Sequence, residues 1–106
     1  MDSYVMQFSI DKAIVLNAVY DAIDVFHLSI ENADSAVGEI CVKSLTAERI
    51  ILRTTTVLVH ERAVTELSVS VQKHTSTADE VAMCLCEEII RIVSGNFSCS
   101  VLLREV

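Results

Sequence analysis

Four cysteines, three histidines and a pair of adjacent glutamates are the residues of this 106-residue chain whose types could do chemistry. The cysteines are Cys41, Cys84, Cys86 and Cys99. Cys84-Leu85-Cys86 is not the C-x-x-C of redox enzymes or zinc knuckles. On a helix, residues two apart point roughly 200° from each other, so the two thiols are badly placed to share one metal. Helical projection puts Cys84 on an apolar stripe and Cys86 on its flank. Free cysteines are among the most buried residue types, which makes a structural role the expectation for all four. Their even number does not imply disulfides in a chain with cytosolic character.

His27, His60 and His74 fall at the ends of expected elements. Ends can converge, and with Glu31 or Glu61 such a meeting would be the route to a metal or catalytic site. The chain holds no H-x-x-x-H or H-E-x-x-H spacing, and the neighbours His60 and Glu61 point to opposite faces if the strand continues. Exposed turn histidines are the plainer expectation. Glu87 and Glu88 sit on a helix, with Glu88 projecting between Val81 and Cys84 at the edge of the apolar stripe. A charge there needs a partner, for which Arg53 is a candidate, or a wet pocket. A buried acid of raised pKa would be a functional candidate. More commonly, a long side chain at a stripe's edge reaches out to solvent.

The hydroxyls of Thr54, Thr55, Thr56, Ser68 and Ser70 lie in strand-like sequence. A serine nucleophile needs an adjacent base and an oxyanion hole, usually on a sharp Gly-rich turn. Gly38 and Gly95 are the only glycines and proline is absent, so there is no phosphate-cradling loop. No catalytic residue, metal or cofactor is assigned. The expectation is a domain that is not an enzyme.

Composition narrows the partners. Hydrophobic content of 52% with 22% charged residues argues for a globular fold. A formal net charge of −7 works against nucleic acids and anionic membrane surfaces. No apolar run reaches the roughly 18 residues that span a bilayer. Met1-Asp2-Ser3-Tyr4 lacks the basic start of a secretory signal. The expectation is one cytoplasmic domain over residues 1–106. Charge is uneven along the chain: residues 1–40 hold seven acids and only Lys12 as a base. Lys43, Arg49, Arg53, Arg62 and Lys73 then outnumber Glu48, Glu61 and Glu66. Such asymmetry suits two copies packing with opposite faces together, although solvated faces are the simpler account.

Those side chains must be positioned by an alternation of strand and helix patterns. Tyr4, Met6, Phe8 and Ile10 alternate with Val5, Gln7 and Ser9, a first strand. Ser9 or Asp11 then caps a helix to about residue 25, with Val15, Val19, Ala22, Ile23 and Phe26 on one face. Residues 27–31 are a short extended candidate and Asn32-Ala33-Asp34-Ser35 has turn composition. A strand over 37–45 follows, then a longer one over 49–60. A turn at Glu61-Arg62 leads into a strand over 64–73, where Leu67, Val69 and Val71 alternate with polar residues. Thr77-Ala78-Asp79-Glu80 fits a capping box for a second helix carrying Val81, Cys84, Leu85, Ile89 and Ile92. Ser94-Gly95-Asn96 supplies its stop, with Gly95 free to take a positive φ. Phe97, Cys99, Val101 and Leu103 alternate as a last strand, at home or in another subunit.

The expected order is β-α-β-β-β-β-α-β, a two-layer α+β sandwich. An antiparallel β-meander of four to five strands carries two helices on one face. The meander's middle strand breaks the rule for a sheet with one wet face. Ile50, Ile51 and Leu52 run consecutively, as do Val57, Leu58 and Val59, so both faces carry apolar residues. If Ile50, Leu52 and Leu58 meet the helices, Ile51, Val57 and Val59 need another cover.

Two functions are compatible with this. The first is a structural or interaction domain, a homodimer or a member of a larger complex. Its interface would be the second sheet face with Ile51, Thr55, Val57, Val59, Ser68 and Ser70, or the last strand with Phe97, Cys99 and Val101. The second is a binding domain for a small apolar ligand between helices and sheet. Val15, Val19, Leu52, Leu67, Val69, Leu85, Glu88 and Ile89 would line that cavity.

Overall fold

A computed structural model describes residues 3–34, 36–73, 75–97 and 101–105. Its elements are β1 (Ser3–Phe8), α1 (Lys12–Val25), β2 (Ser29–Asp34), β3 (Glu39–Lys43), β4 (Arg49–Val59), β5 (Arg62–Val71), α2 (Ser76–Asn96) and β6 (Val101–Glu105). The strands form one sheet in the order β2-β3-β4-β5-β1-β6, and every neighbouring pair is antiparallel. This is the expected α+β order, but the sheet has six strands rather than four to five. The two edges account for the difference. Asn32, Ala33 and Asp34, turn-like by composition, pair with β3 because a register shift between Ile30 and Asn32 absorbs one residue. The C-terminal strand pairs with β1 in its own sheet.

Both helices lie on one face, where the alternation expected of a half-covered sheet is realised. Met6, Phe8, Val42, Ile50, Leu52, Leu67 and Val69 are fully buried there against Val15, Val19, Ala22, Leu85 and Ile89. Removing that much apolar surface from water is the main source of stability. On β4, Ile50 and Leu52 point to the helices as expected. Leu58 shares their side of the strand but is 76% exposed. The reason is length: β3 pairs with β4 only as far as Arg53, and β1 with β5 only as far as Thr65. Residues 57–64 therefore project past both neighbours as a two-stranded tip, out of reach of the helix layer.

Local rules set the ends of the elements, and several differ from expectation. The tip turns at His60-Glu61, one residue earlier than expected, because Val59 pairs with Arg62. Both turn residues have positive φ, 50° and 65°, the twist a two-residue hairpin needs. Asp11 is the N-cap of α1, without a side-chain cap bond. At the other end, the Leu28 N–H donates to Ile23 O at 3.0 Å and the His27 N–H to Asp24 O at 3.1 Å. With His27 at φ 54°, this is a Schellman stop with histidine in the usual glycine position.

The cap of α2 is Thr75, whose hydroxyl accepts from the Ala78 N–H at 3.0 Å, not Thr77 in a capping box. The helix starts early because buried Ala78 opens its apolar face. Nor does α2 stop at Gly95, whose φ is not positive. It ends at extended Phe97, with the Asn96 amide donating to Ile92 O at 2.8 Å. The glycine that does take a positive φ is Gly38, at 69°, in the β2–β3 turn.

Candidate interaction surface

Cross-strand register arranges the second face of the sheet in rows. One row reads Asp34, Glu39, Arg53, Ser68, Val5, Arg104 from edge to edge. The row below carries Asn32, Cys41, Ile51 and Ser70, and the row above Thr55, Glu66, Gln7 and Leu102. Val57 with Val64, and Val59 with Arg62, continue the face onto the tip. Among the described residues no element covers it. Ile51, Thr55, Val57, Val59, Val64, Ser68 and Ser70 are nevertheless only half-exposed, shielded by one another and by their neighbours.

Charge on this face is largely paired within it. The Arg49 Nε donates to Glu31 at 2.8 Å, the Arg53 Nε to Glu39 at 3.1 Å and the Gln7 amide to Glu66 at 3.1 Å. Arg53 thus points away from the helices and is not the partner of Glu88. The surplus of acid lies elsewhere: Asp21, Asp24, Asp79, Glu80, Glu87 and Glu88 stand on the helices against Lys12 and Arg91. The asymmetry along the sequence becomes, in the fold, an acidic helix layer over a nearly balanced sheet face.

The sequence-derived candidates sort clearly. Ile51, Thr55, Val57, Val59, Ser68 and Ser70 share the open face. Val101 pairs with Phe8 on the opposite, helix-bearing side, where it packs against the core. Phe97 is the C-cap of α2 and not a strand residue, while Cys99 and His74 lie outside the described residues. Sequence reasoning missed Val64, Asp34 and Arg104, whose place on the face follows only from strand pairing.

The residues considered for a ligand cavity, Val15, Val19, Leu52, Leu67, Val69, Leu85 and Ile89, are all fully buried in the core. A more apolar hollow, of about 470 Å³, opens elsewhere, between the end of α1, the β3–β4 turn and α2. Phe26, Leu28, Leu45, Val81 and Cys84 line it, and Leu45 is 86% exposed.

Chemistry-bearing side chains are held by structure. Cys86 is buried and Cys84 exposed, the reverse of the helical projection. The buried stripe runs through Ala78, Ala82, Leu85, Cys86, Ile89 and Val93, rotated by roughly 70° from the one drawn through the larger residues. Burial pushes the Cys86 thiol from 9.0 up to about 12. Burial and the Glu31 carboxylate raise that of Cys41. Glu88, 14% exposed in its side chain, receives hydrogen bonds from the Arg91 guanidinium, at 3.0 Å from Nε. Those bonds hold its carboxyl below the ordinary range, opposite to a catalytic acid of raised pKa. In the β3–β4 turn, hydrogen bonds from Ser44 and Thr46 likewise lower Glu48. His27 and His60 terminate different elements, and no three potential metal ligands gather among the described residues. Compared with protein-family models and with curated protein sequences, the chain matches none.

Proposed function

We propose that this chain is a non-enzymatic interaction domain that works as a homodimer, its open sheet face packed against that of a second copy. One observation carries the reading: a six-stranded sheet with helices on one side presents Ile51, Val57, Val59 and Val64 among small hydroxyl residues on the other. Small side chains let two sheets approach to about 10 Å. The area is adequate. Six strands spaced by about 4.8 Å and about six residues long give a face on the order of 600 Å² in projection, near the ~800 Å² per partner of stable complexes. Charge supports a second copy as the partner, because the acidic helix layers then stay outermost and the balanced faces meet. The C-terminal strand already pairs with β1, which favours the face over that strand as the interface. A cytoplasmic setting belongs to the same reading, in keeping with free thiols at Cys41, Cys84 and Cys86.

Light scattering on a sizing column tests it. The wild-type chain is expected at twice its 11.7 kDa mass at tens of micromolar, and Val57→Asp at the monomer mass with an unchanged circular dichroism spectrum. A clean wild-type monomer overturns the reading. The hollow beside Phe26 and Leu45 supports a second reading, a small apolar ligand, since its size is that of a ligand pocket. Native mass spectrometry would then find extra mass on the freshly purified chain, and a bare mass counts against it.

A further inference from the structure

We infer that the two copies meet about a two-fold axis parallel to the strands, lying over the β4–β5 line, so that the two tips stack on each other. The inference rests on the open face being the dimer interface, and two independent patterns choose the axis.

Aligned sheet packing keeps the strand directions of the two sheets within about 30°. Only two in-plane two-folds achieve this, one perpendicular to the strands and one parallel to them. The perpendicular axis lays β2 over β2 and β6 over β6. When that axis passes over their row, midway along the part of the sheet that the helices back, Asp34 opposes Asp34 and Arg104 opposes Arg104, like charge on like. The parallel axis lays β6 of each copy over β2 of the other. Rotation leaves height along its axis unchanged, so each row faces the same row of the second copy. Asp34 and Arg104 are the two ends of one row, and the strand pairings therefore bring them opposite each other at the same height. Opposite charges steer association and disfavour the wrong register.

The tip makes the same choice. An isolated two-stranded ribbon is marginal in water, and this one holds two non-glycine residues at positive φ. The perpendicular axis leaves each tip overhanging the far pole of the other copy. The parallel axis lays tip on tip, with Val57 of each copy on Val64 of the other and Val59 on the aliphatic stem of Arg62, so that the apolar contact runs out along the tip. The tip's apolar residues and the row of charges thus select one arrangement.

Wild-type protein decides it. In a dimer mixed from isotope-labelled and unlabelled chains, isotope-filtered nuclear Overhauser effects are expected between methyls of Val57, Val59 and Val64 across the interface. Arg104→Glu is expected to weaken dimerisation by roughly five-fold, and Asp34→Arg in the same chain to restore it. Cross-interface contacts from the tip methyls to the side chains of Lys43 or Arg49, the open-face pair at the opposite pole, or no rescue by Asp34→Arg, overturn the axis while leaving the face-to-face dimer standing. A monomer with no cross-interface signal overturns both.

Discussion

Cys84 and Cys86 lie two residues apart on one helix and live in opposite environments. The exposed thiol of Cys84 is open to reagents, whereas Cys86 sits in the core with a pKa pushed up to about 12. Only the thiolate is a good nucleophile, so alkylation followed by peptide mass spectrometry at pH 8 is expected to modify Cys84 quickly and leave Cys86 intact in the folded protein. The same shift has a sign for stability. Cys86 holds its proton more tightly folded than unfolded, so its contribution is complete below 9.0 and erodes as pH rises from there towards 12. Denaturant titrations should show stability falling over that alkaline interval, and Cys86→Ala should flatten the fall. Modification of Cys86 at the rate of Cys84 would contradict the packing of α2. The exchange of roles between these two residues was not legible in the sequence. Large apolar side chains dominate a projected stripe, whereas Ala78 and Ala82 mark the face that is closest to the sheet side and weigh little in it.

Elements follow the same logic with larger consequences. The sequence puts Gly95 at a helix stop and Gly38 inside a strand over 37–45, whereas the backbone turns at Gly38 and continues as helix through Gly95. A Cβ added at Gly38 would lie 2.3 Å from Thr54 O, on a residue at φ 69°. Gly38→Ala is therefore expected to lose more than about 2 kcal/mol, from strain and from the broken approach of the turn to β4. At Gly95 a Cβ meets nothing within 4 Å and the backbone is helical, so Gly95→Ala is expected to gain about 0.5–1 kcal/mol. Urea midpoints of the two variants check both signs, and a loss at Gly95 would mean that α2 ends earlier than Asn96. Strand and helix identity and order were legible because periods of two and 3.6 residues differ sharply. Ends and edges were not. Asn32-Ala33-Asp34 has the composition of a turn, and only pairing to Cys41, Ile40 and Glu39 makes it strand. The Thr75 cap and the His27 stop likewise depend on where the buried faces begin and end.

At the scale of the whole molecule, the open face runs from a sheet backed by two helices onto a two-stranded tip that the helix layer does not reach. The sequence had shown apolar residues on both sides of β4 and read them as two covered faces. The structure divides them: Ile50 and Leu52 enter the core, Ile51 stands on the open face, and Val57 to Val59 run on, paired with β5 alone, into the two-stranded tip. In the proposed dimer a second copy covers the apolar residues of the tip, whose stability should then depend on protein concentration as any linked equilibrium does. Hydrogen exchange followed by mass spectrometry can separate the two regions. Amides over residues 57–64 should exchange near the unprotected rate when the protein is diluted to monomer, because the short ladder opens locally. At concentrations that populate the dimer, the same amides should slow by at least about ten-fold, since opening must then also separate the stacked tips. Leu67 and Val69, fully buried on β5 under the helices, provide the internal control and should show no change. Equal protection of the tip at both concentrations would mean that the ribbon stands without a partner. Val57, Val59 and Val64 would then be ordinary surface residues, and the interface would have to be sought nearer Ile51, in the middle of the sheet.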